Sequence, residues 1–224
     1  MVTKFIIGNL ITQKHNADTI ALSICRGISM SIKTKMHALK KDLLLQEASH
    51  LFEERGYEEM KLSDLAKKAG VSMGTIYGYF HSKEGLYLAY IEHQIDAFVS
   101  ELEAKTAHTD DAREKIRIFT ELKFSYYMQK CKAIEKSAAN NPLFFNTLAQ
   151  EHSEGFEKIY RFLQRCFMQL NAQIDKEKAV RLSYAFNGFG DGYVGLWLEE
   201  GGDLMCYADE VCELFISMVQ GCCR

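Results

Sequence analysis

Between Ser72 and Lys83 the chain gathers side chains suited to holding a polyanion and touching flat, methyl-bearing surfaces. Thr75 offers a hydroxyl and a methyl to base edges, and Met73 an apolar contact to a thymine methyl. Tyr77 and Tyr79 can donate phenolic hydrogen bonds to phosphate oxygens. Lys83 adds an ammonium at the start of a predicted helix, where the helix N-terminus itself favours an anion. No Arg or Lys lies between Val71 and His81. That argues against bidentate guanine reading and leaves specificity to thymine contacts and DNA shape.

The local pattern supplies elements to position these groups. Leu62, Leu65, Ala66 and Ala69 form an apolar helical stripe opposite Ser63, Asp64, Lys67 and Lys68. Gly70 stops that helix, since glycine reaches the left-handed conformation such an end needs, and Val71 can fold back on the apolar face. Ser72 is the expected cap of the next helix, with Ile76 and Phe80 as its buried stripe. Gly74 and Gly78 each cost about 1 kcal/mol relative to alanine inside a helix, which suits a helix that a bulky surface approaches closely. A DNA groove is such a surface.

The run Gly70, Val71, Ser72, Gly74, Thr75, Tyr77, Tyr79, Phe80, Ser82, Lys83, Glu84 and Leu86 resembles the signature of the TetR family of bacterial transcriptional regulators. The resemblance extends back over Leu39 to Arg55 and Gly56-Tyr57, and more weakly forward. It implies DNA contacts from Lys61, Ser72, Met73, Gly74, Thr75, Tyr77, Tyr79 and Lys83. Two positions depart from the pattern. Lys61 stands where the family often has a capping Thr, and Gly78 where it often has a large or basic side chain. A helix-turn-helix also occurs in proteins that never meet DNA, and Tyr77 or Tyr79 can equally pack on a neighbouring helix.

Composition fits an all-α protein: one proline, Pro142, in 224 residues, no alternating apolar runs and no internal repeat. The net charge of −3 hides a segregation, because residues 1–85 carry 12 Lys+Arg against 9 Asp+Glu while the remainder is acidic. Lys33, Lys35, Lys40 and Lys41, just before or within the first long helix, can follow a phosphate backbone or form an ordinary solvated face. Expected domains are an N-terminal extension over 1–32, which is disordered or reflects the choice of start codon, a three-helix DNA-binding domain over 33–82, and a larger helical domain over 83–224. About nine helices are expected in all. After Leu86 the polar breaks predict helices from Lys83 to about Lys105, from Asp110 or Asp111 to about Ala138, two between Phe144 and Leu170, and the pair Lys176–Glu199 and Met205–Val219.

By resemblance, the last two helices dimerise. Gly188, Gly192 and Gly195 share one side of the penultimate helix, and Val211, Leu214, Phe215, Met218 and Val219 supply apolar surface on the last; an intrachain neighbour or a kink would account for the glycines equally. A dimer spaces its readers by one DNA turn, about 34–36 Å, which requires a near-palindromic operator. The middle helices are rich in aromatics, and the family places an effector among them. Phe119, Tyr126 and Phe156 are candidate walls of such a site, with His152, Asn187 and Asp191 as polar anchors; the effector expected is apolar or aromatic. No catalytic motif, metal set or cofactor loop is present. Seven cysteines without a Cys-x-x-Cys pair fit reduced cytosolic thiols. The apolar run Phe5–Ile11 is too short to span a bilayer. The sequence thus points to a cytoplasmic, dimeric, ligand-responsive repressor. The competing readings are a helical enzyme or carrier with a vestigial helix-turn-helix, and a regulator switched through Cys206, Cys212, Cys222 and Cys223.

Overall fold

The computed structural model describes the backbone of residues 2–139 and 154–221, and the side chains of 31–130 and 154–221. Every regular element among the described residues is helical: α1 (Val2–Glu59), α2 (Leu62–Lys68), α3 (Met73–Phe80), α4 (Lys83–Thr106), α5 (Ala112–Ala139), α6 (Glu154–Leu170), α7 (Lys176–Glu200), a 3-10 turn (Leu204–Tyr207) and α8 (Ala208–Gly221). The first helix does not open near residue 33. Its backbone runs back to Val2, and its last turn is broken at Gly56, φ 76°.

Contacts divide the chain into two compact units, Met1–Gln46 and Glu47–Arg224. The division falls within α1. In the first unit Ile32, Met36, Leu39 and Leu43 form an exposed apolar stripe, and Lys33, Lys35 and Lys40 are exposed on the same helix.

In the second unit the helix boundaries follow local chemistry. Asp175 caps α7 by accepting from the Lys178 amide at 2.7 Å, and Asp111 accepts from the Arg113 amide at 2.9 Å at the head of α5. Gly201 and Gly202, at φ 76° and 92°, end α7, and the Trp197 indole pins that turn by donating to the Gly202 carbonyl at 3.0 Å. The last predicted helix is shorter than its apolar pattern suggested, because Asp203 caps a 3-10 turn first, accepting from the Met205 amide. The core holds Phe119, Phe167, Phe186 and Phe215, with ring centroids 4.7 Å apart for Phe186 and Phe215 and 5.8 Å for Phe167 and Phe186. Edge-to-face and tilted packing of this kind suits the aromatic quadrupole. Among the described residues no helix is long and apolar enough to cross a membrane.

Candidate nucleic-acid interface and ligand cavity

The turn between α2 and α3 is set by Gly70. At φ 65° it allows the Val71 amide to reach the Ala66 carbonyl at 3.0 Å and its own amide the Lys67 carbonyl at 3.4 Å, the paired bonds of a Schellman end. Ser72 then caps α3, its hydroxyl accepting from the Thr75 amide at 3.1 Å. Ile76 and Phe80 are buried, so the opposite side of α3 faces outward. Met73 is 37 % and Tyr77 48 % exposed, with Gly74 and Gly78 exposed between them. A side chain at Gly78 would meet nothing within 4 Å. This half of the helix is a bare, shallow surface free to be approached.

Thr75 is half-buried, and its hydroxyl lies 3.0 Å from that of Ser72. If Ser72 donates in that pair, the Thr75 proton stays available to a base or phosphate. Tyr79 is half-buried with its ring 6.1 Å from Phe80, so part of its surface serves the packing of the unit. Lys61 precedes α2 with extended backbone and makes no side-chain cap, as its residue type predicted. It is exposed, whereas Arg55 is drawn to Asp64 at 2.6 Å and Lys68 to Glu47 at 2.9 Å.

Lys83 reaches back to the end of α1. Its ammonium donates to the Glu58 carbonyl at 3.1 Å and lies 4.6 Å from the centre of the Tyr57 ring. One of its three hydrogens thus satisfies a carbonyl at the end of α1, where a cation also complements the helix dipole. Tyr57 completes the corner by donating to Glu84 at 3.1 Å. Burial, reinforced by that bond, pushes the Tyr57 phenol up to about 12. Ser82 caps α4 by accepting from the Gly85 amide at 3.0 Å.

The α3–α4 corner also carries two features that sequence patterns did not single out. His81 adopts φ 63°, uncommon for a residue with a Cβ. Gly85 has no room for one, since a Cβ there would lie 2.1 Å from the Phe80 carbonyl oxygen.

In the larger part of the second unit, α4, α5, α6 and α7 line a cavity of about 120 Å³ that is partly open. Phe119, Tyr126, Phe156 and Asn187 line it, four of the six residues expected at an effector site. Asp191 stands one bond behind the wall, and His152 lies outside the described residues. Sequence reasoning missed the two lysines in the lining, Lys123 and Lys130. They occupy positions of the stripe Ile116, Phe119, Lys123, Tyr126, Lys130, and their 3–4 spacing was the available signal.

Lys123 is buried and pairs with Asp191 at 2.7 Å; it also donates to the carbonyl and side-chain oxygens of Asn187 at 2.8 and 2.9 Å. Tyr127 donates to the same Asp191, and burial with that carboxylate nearby holds its phenol well above the usual range. Lys130, where α5 leaves helical geometry (φ −116°, ψ 15°), pairs with Glu53 of α1 at 2.5 Å.

On α7, Gly188, Gly192 and Gly195 are exposed, and a Cβ at any of them would meet nothing within 4 Å. Among the described residues none approaches them closely. On α8, Leu214 and Met218 are 53 % and 45 % exposed, but Val211, Phe215 and Val219 are buried in the subunit's own core. The apolar face of α8 is thus shared: the alternate turn positions 211, 215 and 219 pack inward and 214 and 218 outward. Cys166 and Cys212 are buried and Cys206 exposed, all as free thiols; Cys222 and Cys223 lie outside the described residues.

A family model described as bacterial regulatory proteins, tetR family, matches residues 44–90. The chain is 34 % identical over 87 residues to the HTH-type transcriptional activator FasR of Mycolicibacterium smegmatis, a stretch covering 39 % of this chain and 40 % of that protein. It is 30 % identical over 82 residues to the fatty acid metabolism regulator protein of Bacillus subtilis, covering 37 % and 42 %. The matched stretches thus span about two fifths of the length of these relatives. In three dimensions the chain is similar to the regulator FadR from Bacillus subtilis, solved in complex with stearoyl-CoA: TM-score 0.61, 22 % identity, covering 78 % of this chain and 96 % of that one. At that identity the likeness is one of fold.

Proposed function

We propose that this chain, which belongs to the tetR family of bacterial regulatory proteins, is a cytoplasmic homodimeric transcriptional repressor. It binds a near-palindromic operator through α3 and is released by a small apolar molecule held between α4, α5, α6 and α7. The observation that carries the reading is the outward face of α3: Met73, Gly74, Tyr77 and Gly78 exposed on a short helix whose other side is locked by Ile76 and Phe80. Gly78, where a Cβ would meet nothing within 4 Å, and Gly74, where it would meet only the Ser72 hydroxyl at 3.7 Å, weaken a helix without aiding its packing. Close approach of a groove wall gives them a purpose.

In this reading Met73, Thr75 and Tyr77 face the major groove, Tyr77, Tyr79 and Lys61 hold phosphates, and Lys83 acts indirectly by fixing the end of α1. The open glycine face of α7 with Leu214 and Met218 receives the same face of a second copy. Repression follows because a bound dimer excludes other proteins from the operator without needing a further contact. The effector acts to the extent that it prefers one arrangement of α4, which contributes Tyr90, Ile91 and Phe98 to the cavity and starts at the reader.

The test is selection of bound sequences from random duplex DNA by the full chain, followed by anisotropy titration of the selected site. A palindrome should emerge, and Tyr77→Ala should weaken binding at least tenfold while sedimentation still gives a dimer. Absence of any enriched sequence, or unchanged affinity in Tyr77→Ala, overturns the assignment. Lys61→Ala should weaken binding across all sequences and flatten its salt dependence.

A further inference from the structure

Among the described residues the cavity wall carries two lysines and no carboxylate. Their partners Asp191 and Glu53 are not part of the lining, so an occupant meets the cations first. The two ammonium groups differ in what they have left to offer. Lys123 has three hydrogens and three acceptors: Asp191 at 2.7 Å and the two oxygens of Asn187 at 2.8 and 2.9 Å. It is saturated. Lys130 has the same three hydrogens and, among the described residues, one acceptor, the Glu53 carboxylate at 2.5 Å. Its side chain is 18 % exposed and belongs to the lining, so unlike a sealed core lysine it can be reached from the cavity.

The charge balance at Lys130 favours sharing. Breaking a buried ion pair is costly because it strands a charge away from water. The Glu53 side chain, however, is 30 % exposed, and water can solvate its carboxylate while the ammonium turns partly to another anion. A cation in the cavity would face two ammonium groups with no carboxylate on the wall, and a neutral group would forgo the stronger, charge-assisted bond. The remaining wall at Ile95, Phe98, Phe119 and Phe156 calls for an apolar body. The volume of about 120 Å³ is near the ~150 Å³ apolar cavity that takes benzene, which sets the scale at one ring.

We propose that the cavity binds a compact apolar monocarboxylate, its head group taking the hydrogens of Lys130 that Glu53 leaves free, with Glu53 as its competitor for that cation. The inference rests on the effector reading of this cavity above and names the ligand class.

Three single-ring probes of similar size separate the contributions: benzoate is the anion, benzamide its neutral counterpart and benzylamine the cation. Each is titrated calorimetrically at neutral pH into the full chain, into Lys130→Met, which keeps the length and removes the charge, and into Glu53→Gln, which keeps the shape and removes the competitor. Benzoate should bind the wild type about tenfold more tightly than benzamide, the scale of one charge-assisted hydrogen bond net of desolvation, and benzylamine most weakly. In Lys130→Met the advantage of benzoate over benzamide should vanish. In Glu53→Gln benzoate should tighten several-fold while benzamide is unchanged, an outcome that a merely structural ion pair would not give and that stays decisive if Lys130→Met does not fold. Benzamide matching benzoate, a benzoate preference that survives Lys130→Met, loss of both probes alike in Glu53→Gln, or no saturable benzoate binding overturns the proposal. Operator anisotropy reads the wider function separately. Benzoate that binds in this pattern yet leaves operator affinity unchanged removes only the effector reading, and a palindrome recovered from a chain that fails these titrations removes only the ligand assignment.

Discussion

Gly85→Ala tests the α3–α4 corner most directly. The added methyl would be placed 2.1 Å from the Phe80 carbonyl oxygen and 3.3 Å from its carbon. Relief requires backbone to move by roughly 1 Å, since the nearest atom is not the end of a flexible side chain. That carbonyl oxygen also accepts from the Ser82 amide at 2.7 Å, and the Gly85 amide is spent on Ser82 Oγ at 3.0 Å, so both bonds are strained together. Overpacking of this kind costs about 1–3 kcal/mol, from which alanine's helix preference returns up to about 1 kcal/mol. A net loss of about 1 kcal/mol corresponds to a fall of roughly 2–4 °C in Tm for a chain of this length. Gly78→Ala is the matched control. It meets nothing within 4 Å and should raise Tm by roughly 2–4 °C through helix preference alone. Thermal melts followed by circular dichroism read both. If α3 lies against DNA, both substitutions also weaken operator binding, Gly85→Ala by tilting the helix and Gly78→Ala by thickening it despite the gain in stability. A Gly85→Ala melt within about 1 °C of wild type would refute the corner argument.

Two further outcomes follow from buried titratable groups. Tyr57, Tyr126 and Tyr160 are each pushed up to about 12, chiefly by burial; a raised folded value means the folded state holds the proton longer than the unfolded one, so their contribution is intact below pH 10 and is lost as pH rises from about 10 to 12. Melting temperature should fall across that window, with part of the tyrosinate absorbance appearing only as the protein unfolds; full tyrosinate absorbance before unfolding contradicts the burial. Peptide-resolved thiol labelling at neutral pH should modify exposed Cys206 rapidly and leave Cys166, raised to about 11 by burial, and Cys212 protected until denaturant is added; early labelling of Cys212 would restore the thiol-switch reading.

The reader was legible because its signals are local. Gly70 at the turn, Ser72 as a cap, and Ile76 with Phe80 as a stripe each depend on residues within one or two turns, and all appear as expected. The same holds for the heads of α4 and α7: Lys83 and Lys176 open them where the caps at Ser82 and Asp175 dictate. What escaped was decided across helices. Nothing near Lys83 in sequence reveals that its ammonium would turn back 25 residues to Glu58. Val211 and Phe215 illustrate the converse, for an apolar stripe on a terminal helix states that something covers it but not whether the cover is the same chain.

The cavity lysines carry the sharper lesson. Lys123 and Lys130 sit at core positions of the α5 stripe, and charge at such a position is costly unless paired. The carboxylates that make it tolerable, Asp191 and Glu53, lie 68 and 77 residues away in sequence. A charged residue on an otherwise apolar helical stripe is therefore itself a forecast of a distant partner, and here both partners meet their lysines at the cavity wall. Because Lys130 lines that cavity while Glu53 sits on α1 beside Phe52, whose ring is 5.2 Å from Tyr90, an occupant that shifts both Tyr90 and Lys130 would act on α1 through two contacts. Under the proposed effector control, a ligand that leaves these contacts and α4 undisturbed would have no purchase on the reader, however tightly it bound.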